Sequence, residues 1–184
     1  MIATQVYEYN IEQEIYNYIR NQREGILYFI PYSNVAFVGR NHKIDGKLAS
    51  ENNIRVLELQ NEGGIIIQKP FSLAIGHFSK DLNNTFNRDF AERIVAFLKS
   101  KGITAKVQDN DILVDDIYKV GSFSSRRYGN IIFSAFQLPY EIDLDLIKQL
   151  CDKPMTKIPK GLKELGVSDY DILKEFNNFI NLKK

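Results

Sequence analysis

Apolar residues change their spacing along the chain in a way that separates helices from strands. Ile11, Ile15, Tyr18 and Ile19 recur at steps of three and four, the period of one helix face. Asn10 is positioned to cap that helix, with Gln13 reaching back from its third position, and the helix is expected to run to Gln22. After Gly25 the period shortens. Ile26 to Ile30 and Val35 to Val38 read as two short strands joined by a turn at Pro31–Asn34, and Ile54 to Leu59 as a third. Gly63 and Gly64 open Ile65–Ile67, and Pro70 precedes Phe71–Ile75, which predicts another pair of buried strands.

The helical period returns at Phe90, Ile94, Phe97 and Leu98 and stops at Gly102, a residue suited to a left-handed cap. Strands follow at Ile103–Val107, Asp111–Val114, Ile117–Val120 and Ile131–Leu138. Two helices then close the chain. One starts at Asp143 and carries Leu144, Ile147, Leu150 and Cys151. The other has Ser168 and Asp171 as a capping box ahead of Ile172, Leu173, Phe176, Phe179 and Ile180. Strands and helices come in blocks rather than in strict alternation. The fold class this predicts is α+β, a mixed and largely antiparallel sheet with helices packed on it.

Composition adds bounds to this picture. The chain has 184 residues, 44% apolar and 26% charged, which is the profile of one globular domain over residues 1–184. Lysine plus arginine (24) balances aspartate plus glutamate (23), so no bulk field favours nucleic acid or an anionic membrane. No run approaches the ~18 apolar residues of a membrane span, and the first ten residues lack the pattern of a secretory signal. A cytoplasmic protein is expected. One cysteine, Cys151, excludes an internal disulfide, and two separated histidines, His42 and His77, argue against a Cys/His zinc site.

The segment Asn110–Ser122, reading Asn-Asp-Ile-Leu-Val-Asp-Asp-Ile-Tyr-Lys-Val-Gly-Ser, carries the most chemistry. It predicts a tight hairpin turning at Asp115–Asp116, with Asn110 and Asp111 at the mouth of one strand and Lys119 near the end of its partner. An amine there, followed by Gly121 and Ser122, can meet a phosphate or carboxylate as a positioned cation. Asn110 and Asp111 offer oxygens for a magnesium ion and its phosphates. An ordinary polar hairpin is the alternative from these residues alone.

The order Asn-Asp-apolar-x-Val, short turn, Lys-Val with Gly-Ser close by is similar to the hairpin of lipoate-protein ligases and their biotin-ligase relatives. Val35-Ala-Phe-Val-Gly-Arg-Asn41 resembles that family's Val-apolar-x-Gly-Arg-x-Gln, matching at Gly39 and Arg40, and Lys160-Gly161 resembles its Lys-Gly loop. The resemblance covers most of the chain and implies a class II synthetase-like domain. It implies ATP, Mg2+ and lipoate or octanoate as ligands, with a lipoyl-type carrier domain as acceptor. Lys119 takes the position of the catalytic lysine. Gly63, Gly64, Asn110, Asp111, Gly121, Ser122 and Arg40 take substrate- or nucleotide-binding positions, with Asp111 and Asn110 at the metal. No C-terminal accessory domain, common in such ligases, is recognisable.

The chain also departs from the family. Where the family reads Arg-Arg-x-Ser-Gly-Gly-Gly-Ala-Val, this sequence has Glu58-Leu-Gln-Asn-Glu-Gly-Gly-Ile-Ile66. Both arginines are absent, and Glu58 and Glu62 would repel a phosphate they faced. Gln68 stands where a histidine is usual, and Ile132-Phe133-Ser134 stands for His-Gly before Ser/Thr. Lys119-Val-Gly121 has its glycine one place early. A ligase fold kept as a binding or regulatory protein is therefore a second reading. A third is an octanoyl or lipoyl transferase using Cys151, against which stands the expectation that Cys151 is buried on an apolar helix face. His42 and His77 are expected to be surface or partly packed residues, and Arg126-Arg127 with Tyr128 a solvated turn, the alternative being a contact with an acidic acceptor domain.

Overall fold

The computed structural model describes residues 3–7, 9–59, 64–151, 155 and 157–182. In chain order the elements are β1 (Ala3–Val6), α1 (Ile11–Arg20), β2 (Gly25–Phe29), β3 (Asn34–Gly39), α2 (Gly46–Glu51), β4 (Ile54–Leu59), β5 (Ile65–Gln68) and β6 (Leu73–Ser79). They continue with α3 (Phe86–Ser100), β7 (Ala105–Gln108), β8 (Asp111–Val114), β9 (Tyr118–Tyr128), β10 (Ile131–Leu138), α4 (Leu144–Leu150), β11 (Ile158–Pro159) and α5 (Asp169–Leu182). The large sheet runs β1-β2-β6-β10-β9-β8-β7, with β11 laid against β9, and a smaller sheet runs β4-β3-β5. Apart from the parallel pairs β1–β2, β3–β4 and β11–β9, the ladders are antiparallel. The fold is the mixed, largely antiparallel α+β class that the blocks of strand and helix imply.

Period-2 alternation gives each sheet two different faces. On β10, Phe136 and Leu138 join the core beneath α3 and α5, whereas Phe133 and Ala135 face the core that also contains Val35 and Phe37 of β3. On β3 the intervening Ala36 and Val38 meet Ala49 of α2 and Ile147 and Leu150 of α4. The layers are thus α3 and α5, large sheet, small sheet, then α2 and α4. Phe90 lies at the centre of the first layer, fully buried, with ring centroids 4.9 Å from Phe136, 5.7 Å from Phe176 and 5.2 Å from Phe179.

Several local expectations are corrected. The strands read as paired across Pro31–Asn34 are not partners, because β2 belongs to the large sheet and β3 to the small one. The same holds for β5 and β6. Alternation reports that a segment is a strand with one face buried but carries no label for its neighbour. Asn10 stands at the start of α1 without a side-chain cap. Its Oδ1 accepts from Tyr7 N at 3.1 Å, and Gln13 donates to Asn17 instead. Arg126, Arg127 and Tyr128 lie on β9 rather than in a turn, with Arg126 over the Tyr128 ring at 5.2 Å. Burial pushes the Tyr128 phenol above its ordinary value, with Arg126 and Arg40 acting the other way.

Helices α3 and α5 are tied side by side by charge. The Arg93 guanidinium reaches Glu175 at 2.8 Å, and the Lys101 ammonium reaches Asp171 at 3.1 Å. The hydrogen bond from Lys101, followed by that from Ser168, holds the Asp171 carboxyl below its ordinary range. A carboxyl lowered on folding stabilises the fold above its unfolded value, and that contribution is lost as pH falls through its folded value. Wild type should therefore melt above Asp171→Asn near neutrality, with the gap closing as pH falls through the carboxyl's lowered folded value. An equal gap at neutral and strongly acid pH in paired thermal melts would count against this account.

Candidate functional site

The β8–β9 hairpin turns where the sequence indicates, with Asp115 and Asp116 at φ 51° and 61°. Such left-handed pairs match the twist of a two-residue hairpin and suit Asp. Past the turn the register slips. Leu113 pairs Lys119 and Ile112 pairs Gly121, which leaves Val120 as an extra residue in a β-bulge. Bulges re-aim side chains. Here Val120 is fully buried in the core while Lys119 and Ser122 both face a cavity beside Asp111. Space at Gly121 is tight, since a Cβ there would lie 2.8 Å from Leu138 Cδ2 and 3.3 Å from the Gln137 carbonyl oxygen.

The cavity has a volume of about 190 Å3. Ile65, Ile66 and Ile67 of β5 form one wall, and Ile142, Ile147 and Met155 another. Its polar end carries Lys119, Lys157, Asp111 and Ser122, and His42 also lines the cavity. The Lys119 ammonium is 3.0 Å from Asp111 Oδ1, and the Lys157 ammonium is 2.7 Å from Asp111 Oδ2. All three side chains are partly screened from water, Asp111 most at 15% exposure. The arrangement is an apolar slot with a cationic head, complementary to an amphiphilic anion.

Lys157 escaped the sequence reading because a two-residue strand delivers it. Ile158 and Pro159 pair in parallel with Tyr118 and Lys119, and Lys160 N donates to Lys119 O at 2.9 Å. Lys160 itself turns away, its ammonium 4.4 Å from the Tyr118 ring centroid. Gly161 lets this segment pass close to the preceding chain, because a Cβ would stand 2.4 Å from Tyr140 O. No local period marks so short a strand.

The other expected site residues divide. Gly64 accepts from Gly39 N at 3.0 Å and immediately precedes the isoleucine wall, with open space where a side chain would be. Gly63 and Glu62 lie outside the described residues. Arg40 and Asn110 are exposed and do not line the cavity, and Asn110 contributes its backbone oxygen to Phe123 N at 2.9 Å. Each Asp111 oxygen is held by a lysine, and Asn110 lies outside the cavity lining. Among the described residues there is no cluster of three or more metal-ligating side chains.

The departures from the family have visible causes or consequences. Glu58 is exposed on β4, an edge strand, and does not line the cavity. Gln68 is fully buried and donates to Leu73 O at 3.4 Å. Phe133 is a core residue stacked on Phe78, with ring centroids 4.9 Å apart. His77 is 2% exposed, not at the surface, stacked on Phe86 with Nδ1 2.9 Å from Asn84 Nδ2. His42 is half-buried against the cavity. Cys151 differs most from expectation. It ends α4 in an extended conformation (φ −90°, ψ 135°), bridges to Ile44 and lines the same cavity as Lys119.

The two-sheet fold is shared by solved structures. The chain is similar to P. falciparum LipL1 in complex with lipoate, at 14% identity and TM-score 0.72, over 99% of this chain and 62% of that one. It is also similar to a bipartite lipoate protein ligase from Thermoplasma acidophilum, studied with its E2 lipoyl domain, at 13% identity and TM-score 0.73, over 97% and 83%. A lipoate-protein ligase A bound with ATP matches at 14% identity and TM-score 0.72, over 97% and 85%. The model of the lipoyl protein ligase A/B catalytic domain matches residues 6–179, so the chain belongs to that family. No curated protein matches it. Among the described residues, no helix is long and apolar enough to cross a membrane.

Proposed function

We propose that this chain binds a carboxylic acid of the lipoate or octanoate type, joins it to AMP at the expense of ATP, and passes the acyl group to a lysine of a lipoyl-type carrier domain. The observation that carries this reading is the Lys119 ammonium at the head of a cavity walled by Ile65, Ile66, Ile67 and Ile147. An alkyl chain buried against those side chains gains about 0.8 kcal/mol per methylene, which favours medium-length acids over acetate. The carboxylate then lies against Lys119.

In the first step a carboxylate oxygen attacks the α-phosphorus of ATP and pyrophosphate leaves. Lys119 holds the two anions together and balances the charge that develops at phosphorus. In the second step the carrier's lysine amine attacks the acyl carbonyl and AMP departs. Magnesium would come to this site with the nucleotide's phosphates, with Asp111 and Asn110 as the residues that would meet it, and would neutralise phosphate charge there. Nothing in the composition calls for nucleic acid or membrane as partner. The test is pyrophosphate release by purified protein given ATP, magnesium and a series of straight-chain acids. Release should rise from acetate to octanoate. Binding of an acid without release would instead support the reading of a ligase fold retained for binding or regulation.

A specific observation favours a second reading, acyl transfer through Cys151, because that side chain lines the cavity together with Lys119. In that chemistry the Cys151 thiolate attacks the acyl carbonyl of an acyl-carrier thioester and the carrier thiol leaves. The acceptor lysine then displaces the cysteine. Cys151→Ser separates the two readings. Under the adenylation reading it should leave pyrophosphate release within about threefold of wild type, as for a conservative change with no charge lost. Loss of acyl transfer from an acyl-carrier thioester, with a covalent acyl adduct on wild type in mass spectrometry, would install the transferase.

A further inference from the structure

Adenylation as set out above uses Lys119 and leaves Lys157 without a task. Yet Lys157 is as well placed. Its ammonium is 2.7 Å from one Asp111 oxygen while that of Lys119 is 3.0 Å from the other, and it is the less exposed of the two lysines, at 26% against 32%. The ladder Ile158↔Tyr118 and Pro159↔Lys119 fixes the segment that carries it to the strand that carries Lys119. Two cations on one carboxylate leave an excess of one positive charge at the head of an apolar slot. A carboxylate between two ammoniums also occupies the arrangement that an incoming acid would need.

We propose that Lys157 is a second anion-binding residue of this site, holding the acid's carboxylate jointly with Lys119, and that Asp111 occupies both ammoniums until the acid takes them over. The proposal rests on the reading of the cavity as an acyl-acid site. One lysine alone would remain fully held by Asp111, whereas two leave a cation for the ligand. Charge-assisted hydrogen bonds of this kind lie at the strong end of the range for proteins.

The test is calorimetric titration of the full chain, without ATP, using octanoate and its neutral analogue octanamide on wild type, Lys157→Met and Lys157→Arg. Met keeps the apolar stem and removes only the charge. Octanoate affinity should fall about tenfold in Lys157→Met, the scale of one charge-assisted hydrogen bond. It should return within about threefold of wild type in Lys157→Arg, while octanamide binds all three proteins alike. If wild type binds octanoate and Lys157→Met binds it equally well, the role of Lys157 is overturned and the acyl-acid reading stands. Equal losses for octanoate and octanamide would reduce Lys157 to a structural role and overturn the proposal too. If wild type binds neither, the acyl-acid reading fails and takes this proposal with it.

Discussion

Lys119→Ala is expected to lower acid-dependent pyrophosphate release by on the order of 100-fold or more, the usual cost of removing one donor aimed at developing charge. The loss should fall mainly on kcat. The isoleucine wall still takes the acyl chain in the variant, whereas the cation that bridges carboxylate and α-phosphate in the transition state is gone. Asp111 would then pair with Lys157 alone. A variant that keeps more than about a tenth of wild-type turnover, at saturating acid and ATP, would mean that Lys119 is not the charge-balancing group.

Phe90→Ala should produce the largest change in stability, a loss of about 3–5 kcal/mol in urea unfolding. Phe90 is fully buried and touches three aromatic rings from β10 and α5. Truncation removes contacts to two elements at once, and rings held by strand and helix backbones cannot close the void. Whole domains are stable by only about 5–15 kcal/mol, so the variant would stand close to unfolding at body temperature. A loss below about 1.5 kcal/mol would show that α5 relaxes into the gap and that this layer is more plastic than the ring geometry implies.

The two halves of the protein differed in how far the chain text revealed them. Phe90, Ile94 and Leu98, like Ile172, Phe176 and Phe179, repeat with the helix period over several turns, so α3 and α5 were readable from local order. The Asp115–Asp116 turn was readable because few residues tolerate consecutive left-handed conformations. Lys119 and Asp111 followed from that hairpin. Lys157 did not, since its approach depends on a two-residue ladder with no periodic signature. Cys151 was misassigned because the apolar spacing of α4 continues one residue past the helix, where the backbone has already turned extended. Arg40 was singled out by its neighbours in sequence, and it is exposed at the end of β3, outside the cavity lining.

The chain leaves the large sheet after β2 and returns at β6, and those two strands are direct neighbours, with Phe29 opposite Ala74. Everything between them, the small sheet with α2, is therefore a topological insertion closed at its root by an existing strand pair. That insertion carries the isoleucine wall and His42, whereas both lysines and Asp111 belong to the other sheet and its attached strand. The insertion therefore holds part of the apolar lining apart from the cationic head, while Ile142, Ile147 and Met155 lie on the same stretch as the lysines. Substitutions at Ile65–Ile67 can tune which acyl length is accepted while the cationic head stays as it is. Acyl-length preference and anion capture can diverge independently in relatives that share this topology.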